Sequence, residues 1–313
     1  MPFDQTSSTT DVIQGIDLTG KVAVVTGASA GLGVETSRCL AAAGATVVMV
    51  GRDAEKLGKA RDSIVGDLPA ERLDTEVMDL AELASIRQAA AAIAARYPKL
   101  HLLINNAGVM ACPRAATKDG FELQFGTNHI GHFLFTCLLA PNLLAAAPAR
   151  IVNLSSSGHR FGGVDFDDPN FESREYDKWL SYGQSKTANA LFSVGLNNRL
   201  SERGVTANAV HPGVIVTELG RHLDESDMEA IMERVSVSQQ AFKEVPQGAA
   251  TSVWAATSPD LEGRGALYLE DCQIAEPATE DSAGGVHAYA LDAADAERLW
   301  QLSEQLVGQA FDI

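Results

Sequence analysis

This 313-residue sequence predicts a doubly wound α/β fold: one sheet of about seven mostly parallel strands with helices on both faces. Three observations carry that expectation. Short β-branched apolar runs alternate with longer helical stretches, as βαβ units require. Those runs are apolar throughout rather than alternating in and out, as befits strands covered on both faces. The first run also feeds a glycine turn that opens a helix, an arrangement that offers free N–H groups and a helix dipole to an anion.

In chain order, strands are expected at Val22–Thr26, Thr46–Val50, Leu73–Met78, Leu100–Asn105, Arg150–Leu154, Thr206–Val210 and Ala266–Leu269. Helices are expected between them: Gly33–Ala43 stopped by Gly44, Ala54–Val65, and the Ala-rich Leu83–Arg96 stopped by Pro98. Phe133–Ala147, Ser185–Arg203 stopped by Gly204, and Pro246–Thr257 follow. Residues 1–15 read as a polar N-terminal tail, expected to be mobile, and 16–313 as a single domain.

Ligands in such sheets bind beyond the carboxyl ends of the strands, near the point where strand order reverses. Small and polar residues collect there. Gly27–Gly33 follow the first strand, Arg52 the second and Asp79 the third. Asn106-Ala107-Gly108 follow the fourth, Ser155–Ser157 the fifth, and His211-Pro212-Gly213 the sixth. In the glycine turn, three residues separate Gly27 from Gly31 and one separates Gly31 from Gly33. The glycines allow a tight turn and close approach of a pyrophosphate to the backbone. Gly27-Ala28-Ser29-Ala30-Gly31 also spells the nucleophile elbow of a serine hydrolase, with Ser29 as nucleophile. No HGGG-like segment accompanies it, and little chain precedes it from which to build an oxyanion loop.

The bulk numbers narrow the classes. Hydrophobic content of 46% with 21% charged residues is that of a soluble globular protein. A net charge of −17 argues against nucleic acid or an anionic membrane as partner, since both need a basic face. Cys39, Cys112, Cys137 and Cys272 are widely spaced and are expected as buried thiols in a reducing, cytoplasmic setting. No apolar run approaches the ~18 uncharged residues of a membrane span, and residues 1–8 lack signal-peptide character.

Tyr182 and Lys186 stand four residues apart, stacked on one helix face about 6 Å apart along the axis. A phenol with an ordinary pKa of about 10 needs a neighbouring cation to serve as a base near neutrality. A shift of ~3 units costs about 4 kcal/mol, within reach of one ammonium in a partly buried site. Alone, this pair is common on protein surfaces.

In company it is not. The ordered set of Thr26–Gly33, Asn105-Asn106-Ala107-Gly108, Asn128, Ser156, Tyr182-x-x-x-Lys186 and Pro212-Gly213 resembles the short-chain dehydrogenase/reductase family, over roughly Leu18 to Leu269. Asn128–Phe133, Ile151–Ser156 and His211-Pro212-Gly213 resemble the branch containing retinol dehydrogenases and their bacterial relatives. The resemblance implies a Rossmann-type sheet and an NAD(P)(H)-dependent oxidoreductase interconverting an alcohol with its ketone or aldehyde. It implies Tyr182 as general acid/base and Lys186 as the group that lowers its pKa and holds the nicotinamide ribose. Ser156 would polarise the substrate oxygen and Asn128 would order a proton-relaying water, with Ser155 and Ser157 as turn or capping residues. Gly27, Ser29, Ala30, Gly31, Leu32 and Gly33 would cradle the cofactor together with Asp79, Leu80, Asn106, Ala107 and Gly108. Pro212, Gly213, Ile215 and Thr217 would complete that wall. The resemblance also implies a homodimer or homotetramer built through helices beside the active site.

Cofactor choice turns on the end of the second strand. An acid there would bind a ribose 2′-OH, whereas Gly51-Arg52 presents a guanidinium suited to a 2′-phosphate. Asp53 is expected as a helix cap. NADP(H) is therefore favoured; the small residues Ala28, Ser29 and Ala30 leave NAD(H) open. His129 and His132 share a helix face but lack a third ligand, so packing and hydrogen bonding are expected rather than a metal. The segments 159–181 and 218–245 carry Phe161, Phe166, Phe171, Trp179, Leu219, Leu223, Met228, Ile231 and Met232 and should shape a lipophilic pocket, retinoid-, steroid- or aryl-like in its preference. An inactive nucleotide-binding protein is the remaining alternative; retention of all four reacting positions argues against it.

Overall fold

The computed structural model describes residues 3–238, 242–279, 282 and 284–313. Its centre is one eight-stranded sheet in the order β3-β2-β1-β4-β5-β6-β7-β8. The strands are β1 Val22–Thr26, β2 Thr46–Gly51, β3 Leu73–Val77, β4 Leu102–Asn105, β5 Ala149–Leu154, β6 Val205–His211, β7 Tyr268–Glu270 and β8 Gln273–Ile274. β1 to β7 pair in parallel, and β8 folds back antiparallel on β7. The eighth strand is the one addition to the expected sheet, a two-residue hairpin arm too short to show a pattern.

Among the described residues the surrounding helices are α1 Thr9–Ile13, α2 Gly31–Ala42, α3 Ala54–Ile64, α4 Leu83–Arg96, α5 Leu123–Phe125, α6 Gly131–Leu144, α7 Lys178–Leu200, α8 Glu225–Ser238, α9 Val245–Thr257 and α10 Ala293–Val307. Two cores result, one on each face. Val24 of β1 points into the core shared with α4, α6, α7 and α10, while its neighbours Ala23 and Val25 point into the core shared with α1, α2, α3 and α9. That alternation is the strand's two-residue period, buried on both sides. Strand order reverses between β1 and β4, which puts a crevice above their carboxyl ends.

Three elements differ from the sequence expectation. Residues 9–13, expected within a polar tail, form a helix with a reciprocal Ser8–Asp11 capping box and bury Val12 beneath α2 and α9. α7 begins at Lys178 rather than near Tyr182, because Asp177 caps it by accepting from Trp179 N and Leu180 N, both at 2.8 Å. α10 was not foreseen. It lays Trp300 against Phe133 of α6, ring centroids 5.0 Å apart, and under Arg199 of α7 at 3.9 Å.

Candidate active site

The turn after β1 is shaped by its glycines. Gly27 and Gly31 have φ of 68° and 54°, the left-handed region. A Cβ on Gly33 would stand 2.3 Å from Gly27 O, so only glycine lets α2 start this close to the strand. α2 has no side-chain cap at Ala30, which leaves its first N–H groups facing the crevice. Ser29 lines this turn; among the described residues no histidine bonds to it, so the hydrolase geometry is not assembled.

The ends of β1 and β4 are tied together. Thr26 Oγ1 accepts from Asn106 N at 2.9 Å and Ala107 N at 3.0 Å, and Asn106 Nδ2 donates to Thr26 O at 2.7 Å. The Thr26 hydroxyl proton goes to His132 Nε2 at 2.9 Å, and His132 Nδ1–H donates to Asn128 O at 2.9 Å. Burial pushes His132 down to about 4 and His129 to about 3, so both are neutral. His129 packs between Phe125 and Phe192 and donates to Ser303 Oγ at 2.8 Å. Hydrogen bonding and packing account for both rings.

Asn128 lies in a π-helical turn, Gly126–Ile130, ahead of α6. Such turns recur at functional sites. Its side chain clamps Val109, accepting from N at 2.8 Å and donating to O at 2.9 Å, and donates to Ser185 Oγ at 2.9 Å. It stands behind Gly108, where its Oδ1 and Lys186 Nζ lie 3.2 and 3.6 Å from the position of an added Cβ. Asn128 therefore supports the wall of the crevice without lining it.

Tyr182, Lys186 and Ser156 do converge on one cavity. Lys186 Nζ sits 5.6 Å from the Tyr182 ring centre and donates to Leu154 O at 3.0 Å. Ser155 Oγ donates to Lys186 O at 2.8 Å, tying the end of β5 to α7. Ser156 Oγ accepts from Gly158 N at 3.0 Å, and a Cβ on Gly158 would lie 2.8 Å from Tyr182 Cε1. Burial pushes Tyr182 up to about 12, with a hydrogen bond from Ser156 pulling the other way, and pushes Lys186 down to about 8.

The cavity measures about 1710 Å³ and runs from the glycine turn to the segment after β6. Asp79, Leu80, Gly108, Pro212, Gly213, Ile215 and Thr217 line it as expected. Asp53 caps α3, accepting from Glu55 N and Lys56 N at 3.0 Å each. The side chains of Arg52 and Lys56 line the same end and make no hydrogen bond or ion pair among the described residues. Lys56 was not singled out from the sequence, although its position one helical turn beyond Arg52 carried the signal. At the other end stand Phe161, Trp179, Leu219, Leu223, Met228, Ile231 and Phe242, whereas Phe166 and Phe171 pack into the protein and Met232 faces outward, so none of these three lines the cavity. Part of the 218–245 segment, residues 239–241, lies outside the described residues. α8 is fastened to the start of α7: the buried Asp227 accepts from Lys178 Nζ at 2.5 Å and Trp179 Nε1 at 3.2 Å.

Known proteins share these features. The family model described as short chain dehydrogenase matches residues 21–228. Human retinol dehydrogenase 13 is 41% identical over 290 residues, covering 92% of this chain and 85% of that protein. A Streptomyces antibioticus protein named as an oxidoreductase is 44% identical over 296 residues, covering 91% of this chain and 97% of its own length. Among solved structures, an uncharacterised Mycobacterium paratuberculosis protein superposes with a TM-score of 0.74 at 34% identity, covering 96% of this chain and 98% of its own. The active-site complex of Pseudomonas aeruginosa RhlG with NADP does so with a TM-score of 0.64 at 26% identity, covering 81% of this chain and 95% of its own.

Proposed function

The chain belongs to the short-chain dehydrogenase family, and on that premise we propose that it is an NADP(H)-preferring alcohol/carbonyl oxidoreductase acting on lipophilic substrates. The observation that carries this reading is the convergence of a buried phenol, amine and serine hydroxyl on one cavity that begins at an uncapped glycine turn. The cradle suits a dinucleotide: glycines where a Cβ would collide, free helix N–H groups for the pyrophosphate, and two unpaired cations at the far end. Gly27, Ser29, Ala30, Gly31, Leu32 and Gly33 would hold the phosphates, Asp79 and Leu80 the adenine, and Arg52 with Lys56 a ribose 2′-phosphate. NAD(H) would leave those two cations without a partner.

When bound, the nicotinamide supplies a hydride to a carbonyl carbon or accepts one from a carbinol. The protein's part is proton and charge management. Tyr182 gives its phenolic proton to the developing alkoxide during reduction and takes it back during oxidation. Gly158 N–H occupies one lone pair of Ser156 Oγ, so the hydroxyl's own proton is the group it can offer to the substrate oxygen as charge develops. Lys186, held by Leu154 O, keeps a positive charge beside the phenolate formed when the proton leaves. Asn128 acts through the wall it braces, fixing Val109 and Ser185. Carbonyl reduction is the favoured direction, because the cation at Arg52 suits NADPH, the reductant.

The apolar end of the cavity supports a retinoid-, steroid- or aryl-like alcohol or ketone. No described helix is long and apolar enough to cross a membrane, and a cytoplasmic location accords with four buried free thiols. A homodimer or homotetramer would have to use a face other than the one α10 covers on α6 and α7. The deciding experiment is NADPH and NADH binding by fluorescence, followed by turnover with a panel of lipophilic ketones and aldehydes. Reduction with NADPH is expected; alcohol oxidation with NAD alone, or binding without any turnover, overturns the reading.

A further inference from the structure

Behind Ser156 lies a polar layer that the proposed chemistry does not use. The Ser156 carbonyl oxygen receives three donors: His159 N at 3.0 Å, His159 Nδ1 at 2.8 Å and Tyr268 Oη at 3.0 Å. The imidazole is oriented from its far side, where His287 N–H donates to Nε2 at 3.3 Å. That bond leaves Nε2 as acceptor, so Nδ1 carries the proton and aims it at Ser156 O. The His159 carbonyl is held in turn, accepting from Tyr289 Oη at 2.7 Å and Thr187 Oγ1 at 3.2 Å. The residue is fully buried, and its ring packs on Tyr268 with centroids 4.9 Å apart.

We propose that His159, with Tyr268, is a positioning residue that sets the direction of the Ser156 hydroxyl. The inference rests on the reading of Ser156 as the group that polarises the substrate oxygen. Two torsions aim that hydroxyl. Three donors on the carbonyl fix the peptide plane after Ser156 and hence its ψ of 158°. The Gly158 N–H on Oγ fixes the side-chain rotamer. His159 is held near neutrality by burial, down to about 4, so the donor keeps one tautomer across the working pH range.

His159→Leu removes the side-chain donor, and kcat for carbonyl reduction should fall about 10- to 100-fold, the cost of misplacing a reacting group by a fraction of an ångström to an ångström. NADPH affinity, read by fluorescence, should stay within about twofold, because the glycine turn is untouched. His159→Asn returns an N–H at the Nδ1 position and should restore kcat to within about threefold. In a Ser156→Ala background, His159→Leu should cost nothing further, since there is no hydroxyl left to aim. A His159→Leu enzyme with full kcat, a loss that adds in full to Ser156→Ala, or an Asn variant as poor as Leu would overturn the proposal. Where His159→Leu does not fold, Tyr268→Phe carries the test: a several-fold kcat loss that vanishes without Ser156 supports it, and an unchanged kcat overturns it. Wild-type protein inactive with both cofactors would remove the functional reading and this inference with it, whereas an active wild type with indifferent variants removes only this inference.

Discussion

The two ends of the cavity are built from different materials. At the glycine turn, the wall is backbone: uncapped N–H groups, glycines that tolerate no Cβ, and strand ends fastened by Thr26 and Asn106 at 2.7–3.0 Å. At the far end, the wall is side chain: Phe161, Trp179, Leu223 and Met228, with Val216 73% and Phe242 40% exposed at its rim. A wall of backbone fixes one ligand shape and forbids variation. A wall of apolar side chains can be repacked residue by residue with little cost to the fold. On the proposed function, then, holding the cofactor belongs to the strand ends and substrate choice to the segments laid over them.

Four buried histidines stay neutral in the fold, and acid should remove its structure as they take up protons. Burial holds His129 and His211 down to about 3 and His132 and His159 to about 4. Their unfolded value is about 6.5, so the unfolded chain binds more protons below that pH. The stability they contribute is complete above pH ~6.5 and drains away as pH falls toward 4. Each costs up to about 1.4 kcal/mol per pH unit, about 5–6 for the four, against a typical total of about 5–15 kcal/mol. One cooperative loss of structure between about pH 6 and 4, followed by circular dichroism and tryptophan fluorescence, is expected. Two separate transitions would show that the ends stand independently.

Tyr182→Phe tests whether the ends also divide in function. Loss of the general acid should lower kcat by about 10²- to 10⁴-fold while leaving the NADPH dissociation constant unchanged. Equal damage to cofactor binding would mean that the phenol belongs to the backbone-built end after all. A smaller effect confined to that end comes from Arg52→Ala and Lys56→Ala. Charge-assisted contacts contribute about 1.5–3 kcal/mol when formed, and these two side chains are exposed, so the lower figure applies. Each should weaken NADPH about tenfold and leave NADH untouched; equal losses for both cofactors would move the 2′-phosphate elsewhere.

What could be read from the sequence follows the same division. The strands, the glycine turn and the Tyr182–Lys186 pair are local patterns, written in consecutive residues or a single helical turn. Asp177 was legible as a cap but stands in a polar stretch where several acids compete for the role. α10 buries one stripe, Ala296, Leu299, Trp300, Ser303 and Val307, whose partner helices the stripe alone does not identify. The layer behind Ser156 joins residues 156, 159, 268 and 287, and no local pattern links positions so far apart. The adjacency of Tyr182 to Lys186 was legible in the sequence, whereas the depth at which both are buried was not.

The smallest expected effect tests the side-chain-built end alone. Asp227 joins α8 to α7 through Lys178 and Trp179, and its Oδ2 also accepts from Asp224 N at 3.1 Å. Lys178 remains 30% exposed, so screening reduces the ion pair to about 1 kcal/mol. Asp227→Asn keeps the shape, retains one acceptor oxygen and removes the charge. α8 should then rest less firmly over the cavity, and KM for a bulky ketone should rise about fivefold, that same 1 kcal/mol, with kcat and NADPH affinity nearly constant. A change in kcat instead would mean that the cover over the substrate end also aligns Tyr182, four residues beyond Lys178 on the same helix. The two ends would then share one mechanical frame through α7, and substrate choice could not be altered without disturbing the chemistry.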